Sequence, residues 1–212
     1  MRNRENIIFE AMKKVMIMVL MALMTIGVYA QDIRLKSGDV APIMQKDKTA
    51  TLDLDFSKAK LADLSKKELS DKKFLENMKN NAPEDYAKWD KYKEECYEFF
   101  MERWNDAKGF CEVIEKGKAD FVIHVKFDYI DTGNAGAAMW SWSAKGGGVI
   151  MRGTVVVTDA AGKKVCEFEV NDFQGRSVRA FDMKFPSFGR RMALFHKNLA
   201  KDITDIAKKA KK

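Results

Sequence analysis

Apolar and polar residues alternate cleanly over Thr51–Ser57, TLDLDFS, with Leu52, Leu54 and Phe56 on one side and Thr51, Asp53 and Asp55 on the other. A period of two marks a strand with one face buried. Asp120–Ile130 repeats it: Phe121, Ile123, Val125, Phe127 and Tyr129 point one way, Val122, His124, Lys126 and Asp128 the other. Val149–Thr158 follows, with Val149, Met151, Val155 and Val157 inward and Arg152, Thr154 and Thr158 outward. After a turn at Asp159–Lys164, where Gly162 can take positive φ, Val165–Val170 sets Cys166, Phe168 and Val170 against Glu167 and Glu169. Gln31–Ala50 alternates weakly around a turn at Lys36–Asp39 and reads as a lead-in with one short edge strand. Arg176–Phe185 is expected to add another edge strand.

The period then changes. Trp89, Tyr92, Cys96, Phe99/Phe100 and Trp104 recur every three or four residues, the stripe of an amphipathic helix of about six turns. Its start is expected at Asn81-Ala82-Pro83-Glu84, which combines a capping residue, an early proline and acids at the positive end of the dipole. Phe188, Met192, Phe195, Leu199, Ile203 and Ile206 predict a closing helix opened by Pro186-Ser187 and ended by lysines. Lys58–Asn81, lysine-rich with scattered leucines, is expected to be short helical turns and loop.

Every predicted strand has one apolar and one polar face, and a sheet covered on both sides would need two apolar faces. The expected fold is therefore α+β, an α/β two-layer sandwich. Its mixed, mostly antiparallel sheet carries two long helices packed on one face. The long connection through the first helix lets the first two strands run parallel, and the rest form an antiparallel meander.

The amino terminus alters the domain limits. Met12-Lys13-Lys14 is followed by an uncharged Met/Val/Leu-rich run and by Val28-Tyr29-Ala30. That is the layout of a signal peptide cleaved between Ala30 and Gln31, with residues 1–11 as an upstream extension. The apolar run is too short for a membrane span. The expected organisation is residues 1–30 as signal and 31–212 as one exported domain, periplasmic or secreted, with no transmembrane span after cleavage. Removing residues 1–30 leaves 34 bases and 29 acids, net +5. Glu84–Asp106 is net −4 and Arg176–Lys212 net +8. Export argues against a nucleic-acid partner, so the two segments are expected to complement each other across the fold. Three cysteines are too few for a disulfide framework. Cys96 and Cys166 read as buried hydrophobes, and a Cys96–Cys111 bridge stays open.

The run Gly153-Thr-Val-Val-Val-Thr-Asp159-Ala-Ala-Gly162-Lys-Lys-Val165, preceded by Ala119-Asp120-Phe121-Val122-Ile123-His124-Val125 and followed by the terminal helix, resembles small periplasmic α/β domains related to CsgG and the TolB amino-terminal domain. Ala161 stands where threonine is common in that group. The resemblance spans about residues 50–210. It implies a cell-envelope role through protein–protein contacts and brings no catalytic residues. No cysteine follows the cleavage site, so the lipid anchor of many such proteins is not implied here.

Candidate chemistry is sparse. The two histidines, His124 and His196, have no HxxxH or HxH spacing, so neither a metal nor any other cofactor is expected. No GxSxG, GxGxxG or GxxxxGK[ST] occurs. Asp53, Asp55 and Asp128 all fall on polar strand faces, where neighbouring strands could bring two carboxylates together for acid–base work, as in a hydrolase, or for Ca²⁺ binding, or where they could be solvated partners of Lys126 and Arg152. The polar sheet face (His124, Lys126, Asp128, Arg152) is one candidate interaction surface. The other is Asn134–Gly148, NAGAAMWSWSAKGGG, where Asn134, Met139, Trp140 and Trp142 sit among glycines. Trp140 and Trp142 point the same way if extended. They can cover the sheet, touch a protein, glycan or lipid headgroup, or form a lid. The leading expectation is a non-enzymatic domain that binds another envelope protein or itself, with a glycan- or peptidoglycan-binding module and a carboxylate hydrolase as rivals.

Overall fold

The computed structural model describes residues 32–64, 66–133, 148–175 and 187–211. Asp32–Lys212 forms one compact unit, while Met1–Gln31 lies outside the described residues. The strands are β1 (Ile33–Gly38), β2 (Thr49–Asp55), β3 (Lys60–Asp63), β4 (Glu68–Lys73), β5 (Glu112–Val113), β6 (Phe121–Asp131), β7 (Ile150–Asp159) and β8 (Lys164–Gln174). The helices are α1 (Phe74–Asn81), α2 (Pro83–Tyr86), α3 (Trp89–Asn105) and α4 (Phe188–Ala210). The fold is α+β, on a mixed sheet ordered β1-β8-β7-β6-β2-β5. β6, β7, β8 and β1 are antiparallel neighbours, whereas β2 runs parallel to β6, as its long helical connection allows.

The apolar stripes meet on one side of this sheet. Cys96, Phe100 and Trp104 of α3 and Met192, Phe195, Leu199 and Ile203 of α4 are fully buried against Ile123, Val155, Val157 and Phe168. Burying each large side chain stabilises by about 1.5–3 kcal/mol. Rings lock the layers: Phe195 lies edge-on to Phe127 at 6.2 Å and to Phe173 at 5.3 Å. α3 and α4 run side by side in the same direction, since contacts advance together along both. Phe188 meets Tyr92, Lys197 meets Glu102 at 3.1 Å, and Lys208 lies over Phe110. The acidic and basic segments thus do pack together, as their opposite charge suggested. Ser187 caps α4 by accepting from the Arg190 amide at 3.3 Å.

Three expectations need correction. Lys58–Asn81 is not turns and loop: it contains the β3–β4 hairpin and α1. β3 continues the line of β2 along β6, pairing Lys60 with Tyr129 and Leu61 with Ile130. β4 is exposed at nearly every position, so it had no burial alternation to betray it. The helix expected from Pro83 is broken. Ala82, before the proline, lies outside the helical region, α2 makes one turn, and α3 begins only at Trp89. Tyr129 does not face the core, because Asp128 is an extra residue in β6 between the pairs Phe127↔Gly153 and Tyr129↔Arg152. That bulge flips the alternation and buries Ile130 instead. β7 approaches β6 there so closely that a side chain at Gly153 would overlap the Lys126 carbonyl.

Candidate functional site

The face of the sheet turned away from α3 and α4 is covered by no helix among the described residues. Strand register orders its side chains into rows. One row runs Asp53, His124, Val156, Glu167, across β2, β6, β7 and β8, to Lys36 of β1, which reaches Glu167 at 2.8 Å. The next runs Asp55, Lys126, Thr154, Glu169, Arg34. Within these two rows β1 carries Lys36 and Arg34, β8 Glu167 and Glu169, β7 the uncharged Val156 and Thr154, β6 His124 and Lys126, and β2 Asp53 and Asp55.

Neighbouring stripes neutralise one another. Arg34 donates to Glu169 at 2.6 Å. Glu167 accepts from both Lys36 and Lys164 at 2.8 Å, and the two ammonium groups, Lys164 foremost, hold its carboxyl down at about 2. The hydrogen bond from the Ser57 hydroxyl, at 2.6 Å, lowers the Asp55 carboxyl, reinforced by the Ser57 amide. His124 Nδ1 lies 3.1 Å from Asp53 and its Nε2 3.3 Å from the Thr158 hydroxyl.

Beyond the second row the ladder changes character. Arg152 grips Asp172 with two parallel bonds of 2.8 and 2.9 Å, and Asp172 has positive φ at a bulge in β8. The structure therefore sets His124, Lys126, Asp128 and Arg152 on the polar side of two adjacent strands but gives them partners the sequence did not name. His124 is matched with Asp53 and Thr158, and Arg152 with Asp172. Asp53 and Asp55 share a face two residues apart: Asp53 is engaged by His124, and Asp55 by Ser57, with the Lys126 charge beside it in the register. Glu167, Glu169, Arg34 and Lys36 were missed as members of the surface. The signal was available, because like charges repeat at alternate positions in each of those strands.

Other candidates are less equipped. Cys96, Cys111 and Cys166 are free and buried, and burial pushes their thiols up, to about 11 for Cys111 and about 12 for Cys166. They stay protonated and unreactive at neutral pH. His196 is fully buried among the apolar residues of α4. Its Nδ1 donates to the Met192 carbonyl at 2.7 Å, its Nε2 has no partner among the described residues, and burial lowers its pKa to about 4. A shallow cavity of about 250 Å³ opens beside β2 between Asp55, Phe56, Leu75, Trp89 and Lys93. Among the described residues no group of three or more His, Cys, Asp or Glu side chains could hold a metal, and no helix is long and apolar enough to cross a membrane. Asn134, Met139, Trp140 and Trp142 lie outside the described residues, as does the strand expected over 176–185.

No protein-family model matches the chain, and no curated protein does. Among solved structures it is similar to two of the PelC dodecamer from Paraburkholderia phytofirmans. A single-substitution variant aligns with TM-score 0.36 and 12% identity over 80% of this chain and 96% of that one. A second crystal form aligns with TM-score 0.35 and 12% identity over 79% and 96%. Similarity of this degree establishes neither a shared fold nor a shared function.

Proposed function

We propose that the chain is an exported domain of the cell envelope that acts by docking a protein onto its open sheet face rather than by turning over a substrate. The observation that carries this reading is the two-layer architecture itself. Helices bury one face of the sheet, and the other presents a flat lattice of ordered charges with Val122 and Val156 half-buried among them. A surface of that kind steers and orients a partner more than it supplies raw affinity. The signal-like residues 1–30 and the resemblance to CsgG- and TolB-related domains point to the envelope as the place where this happens. The test is fractionation of cells expressing the full chain, with the mature amino terminus sequenced and the native mass determined. The expected result is an exported protein starting at Gln31, in a complex heavier than one chain. That complex should be lost in the double variant Lys126→Glu, Glu167→Lys, with circular dichroism checking that the variant keeps the fold. A cytoplasmic protein of monomer mass would overturn the reading.

A second reading rests on the hydrogen-bond order Thr158–His124–Asp53, which is that of a hydroxyl, a base and an orienting carboxylate. It lies on the face that no helix covers among the described residues. Hydrolysis of a chromogenic ester that disappears in both Thr158→Val and His124→Ala would favour it over docking. Activity unchanged by either substitution would dispose of it.

A further inference from the structure

The charge stripes of the open face have a symmetry of their own. In strand order they read basic (Arg34, Lys36), acidic (Glu167, Glu169), neutral (Thr154, Val156, Thr158), basic (His124 when protonated, Lys126) and acidic (Asp53, Asp55). Reversing that order about β7 exchanges basic with acidic at every step. A second copy laid face to face, related by a twofold axis parallel to β7, therefore places each charge of these two rows opposite its complement, while Lys164, beside Thr158 and paired with Glu167 of its own chain, lies opposite Val122. Lys36 meets Asp53 of the second copy, Glu167 meets His124, Arg34 meets Asp55, and Glu169 meets Lys126. Along β7 each residue meets itself. A twofold axis at right angles to the strands would instead set every stripe against its own sign.

We propose, building on the docking reading, that the occupant of this face is a second copy of the same chain, in an isologous two-sheet sandwich whose axis runs along β7. The chemistry of the stripes suits such an interface. The axis is lined by Thr154, Val156 and Thr158, short β-branched side chains that let two sheets close to about 10 Å. The charged side chains lie to either side, with half or more of Lys36, Asp53 and Arg34 exposed to a partner (53%, 51% and 62%). Uncharged centre and charged margin is the usual anatomy of an interface. Arg152, also on β7, lies beyond Thr154 in the bulged region, where two hydrogen bonds hold it sideways on Asp172. The bulges at Asp128 and Asp172 end the regular ladder at that point. The contact therefore spans the rows from Thr154 to Thr158. Five strands by about 17 Å of strand give about 400 Å² of projected face per copy, at the small end of specific interfaces. The dimer is accordingly weak, micromolar or above, and sensitive to salt.

Two measurements on the exported protein, purified from cells expressing the full chain, test this. The first is crosslinking of single-cysteine variants with a short bismaleimide, the native cysteines being buried. Thr154→Cys, on the axis, is expected to give a covalent homodimer at low salt and several-fold less at about 0.5 M salt. Asp53→Cys, with about 19 Å between copies across four strand spacings, is expected to give little. Equal crosslinking at both sites would overturn the axis. Thr154→Cys that crosslinks in cells only to a different envelope protein would overturn the second copy while leaving the docking reading intact. No adduct of any kind, from a chain that sediments as a monomer, would overturn both. The second measurement is charge reversal followed by sedimentation. Lys36→Glu is expected to weaken the dimer about tenfold or more, and adding Asp53→Lys to restore most of it. Within one chain these residues stand at opposite sides of the face, so a merely structural role for Lys36 gives no such rescue. A double variant no better than Lys36→Glu alone would overturn the pairing.

Discussion

The two faces of the sheet are built from the same strands and do different work. Along β6, Ile123 and Val125 look inward at α3 and α4, while His124 and Lys126, one residue away, look outward at the charge lattice. On the inner face each residue is enclosed by irregular neighbours from several elements, so its shape is specified and its loss leaves a hole. On the outer face each residue has a partner on the next strand and solvent above it, so its charge is specified and its shape is not. Stability belongs to the first arrangement and the proposed recognition to the second.

That contrast can be broken most sharply at Trp104, fully buried, stacked on Phe100 at 5.7 Å and donating its indole N–H to the Cys111 carbonyl at 3.0 Å. Trp104→Ala should cost about 3–5 kcal/mol in denaturant unfolding, and a loss under 1 kcal/mol would mean the helical layer is not the anchor described. The next largest effect is on the pH profile. His196 is held neutral, with its folded pKa (about 4) below the ordinary 6.5. Between those values the unfolded chain binds the extra proton, so stability is full above about pH 6.5 and falls as pH drops towards 4. The loss should be on the order of 2–3 kcal/mol. His196→Leu should flatten that limb of the stability curve, and an unchanged curve would assign the acid loss elsewhere.

A smaller inner-face effect is expected at Gly189, where an added Cβ would overlap the Tyr92 ring at the crossing of α3 and α4. Gly189→Ala should cost about 1–3 kcal/mol by calorimetry, although alanine is the better helix former. The smallest is on the outer face: Arg34→Ala removes an exposed ion pair with Glu169 and should cost about 0–1 kcal/mol. If it proved as damaging as Gly189→Ala, the separation of stability from recognition would fail.

The same contrast explains what could be read in advance. Strands β2, β6, β7 and β8 and helices α3 and α4 were legible because each buries one face, and burial prints a period of two or near 3.6 on the sequence. β4 was not legible, because an edge strand held by backbone pairing, with all but one of its side chains exposed, prints no period. The bulge at Asp128 was hidden for a related reason: IHVKFDY alternates without a break, and only the pairing with β7 shows where a residue is looped out. On the candidate surface, the outward positions of His124, Lys126 and Arg152 followed from alternation, but their partners did not.

By itself, then, the sequence determined which residues prefer water and which avoid it, and hence a one-sided sheet beneath two long helices. Only the tertiary structure decided register and strand order. Those placed Asp53 against His124 and Asp172 against Arg152, and laid acidic and basic strands in the order that reverses about β7. Register depends on backbone hydrogen bonds between residues as far as 137 positions apart in sequence, as in Ile33↔Val170. No local preference along the chain encodes such a distance; it is fixed when the whole apolar face closes under the helices.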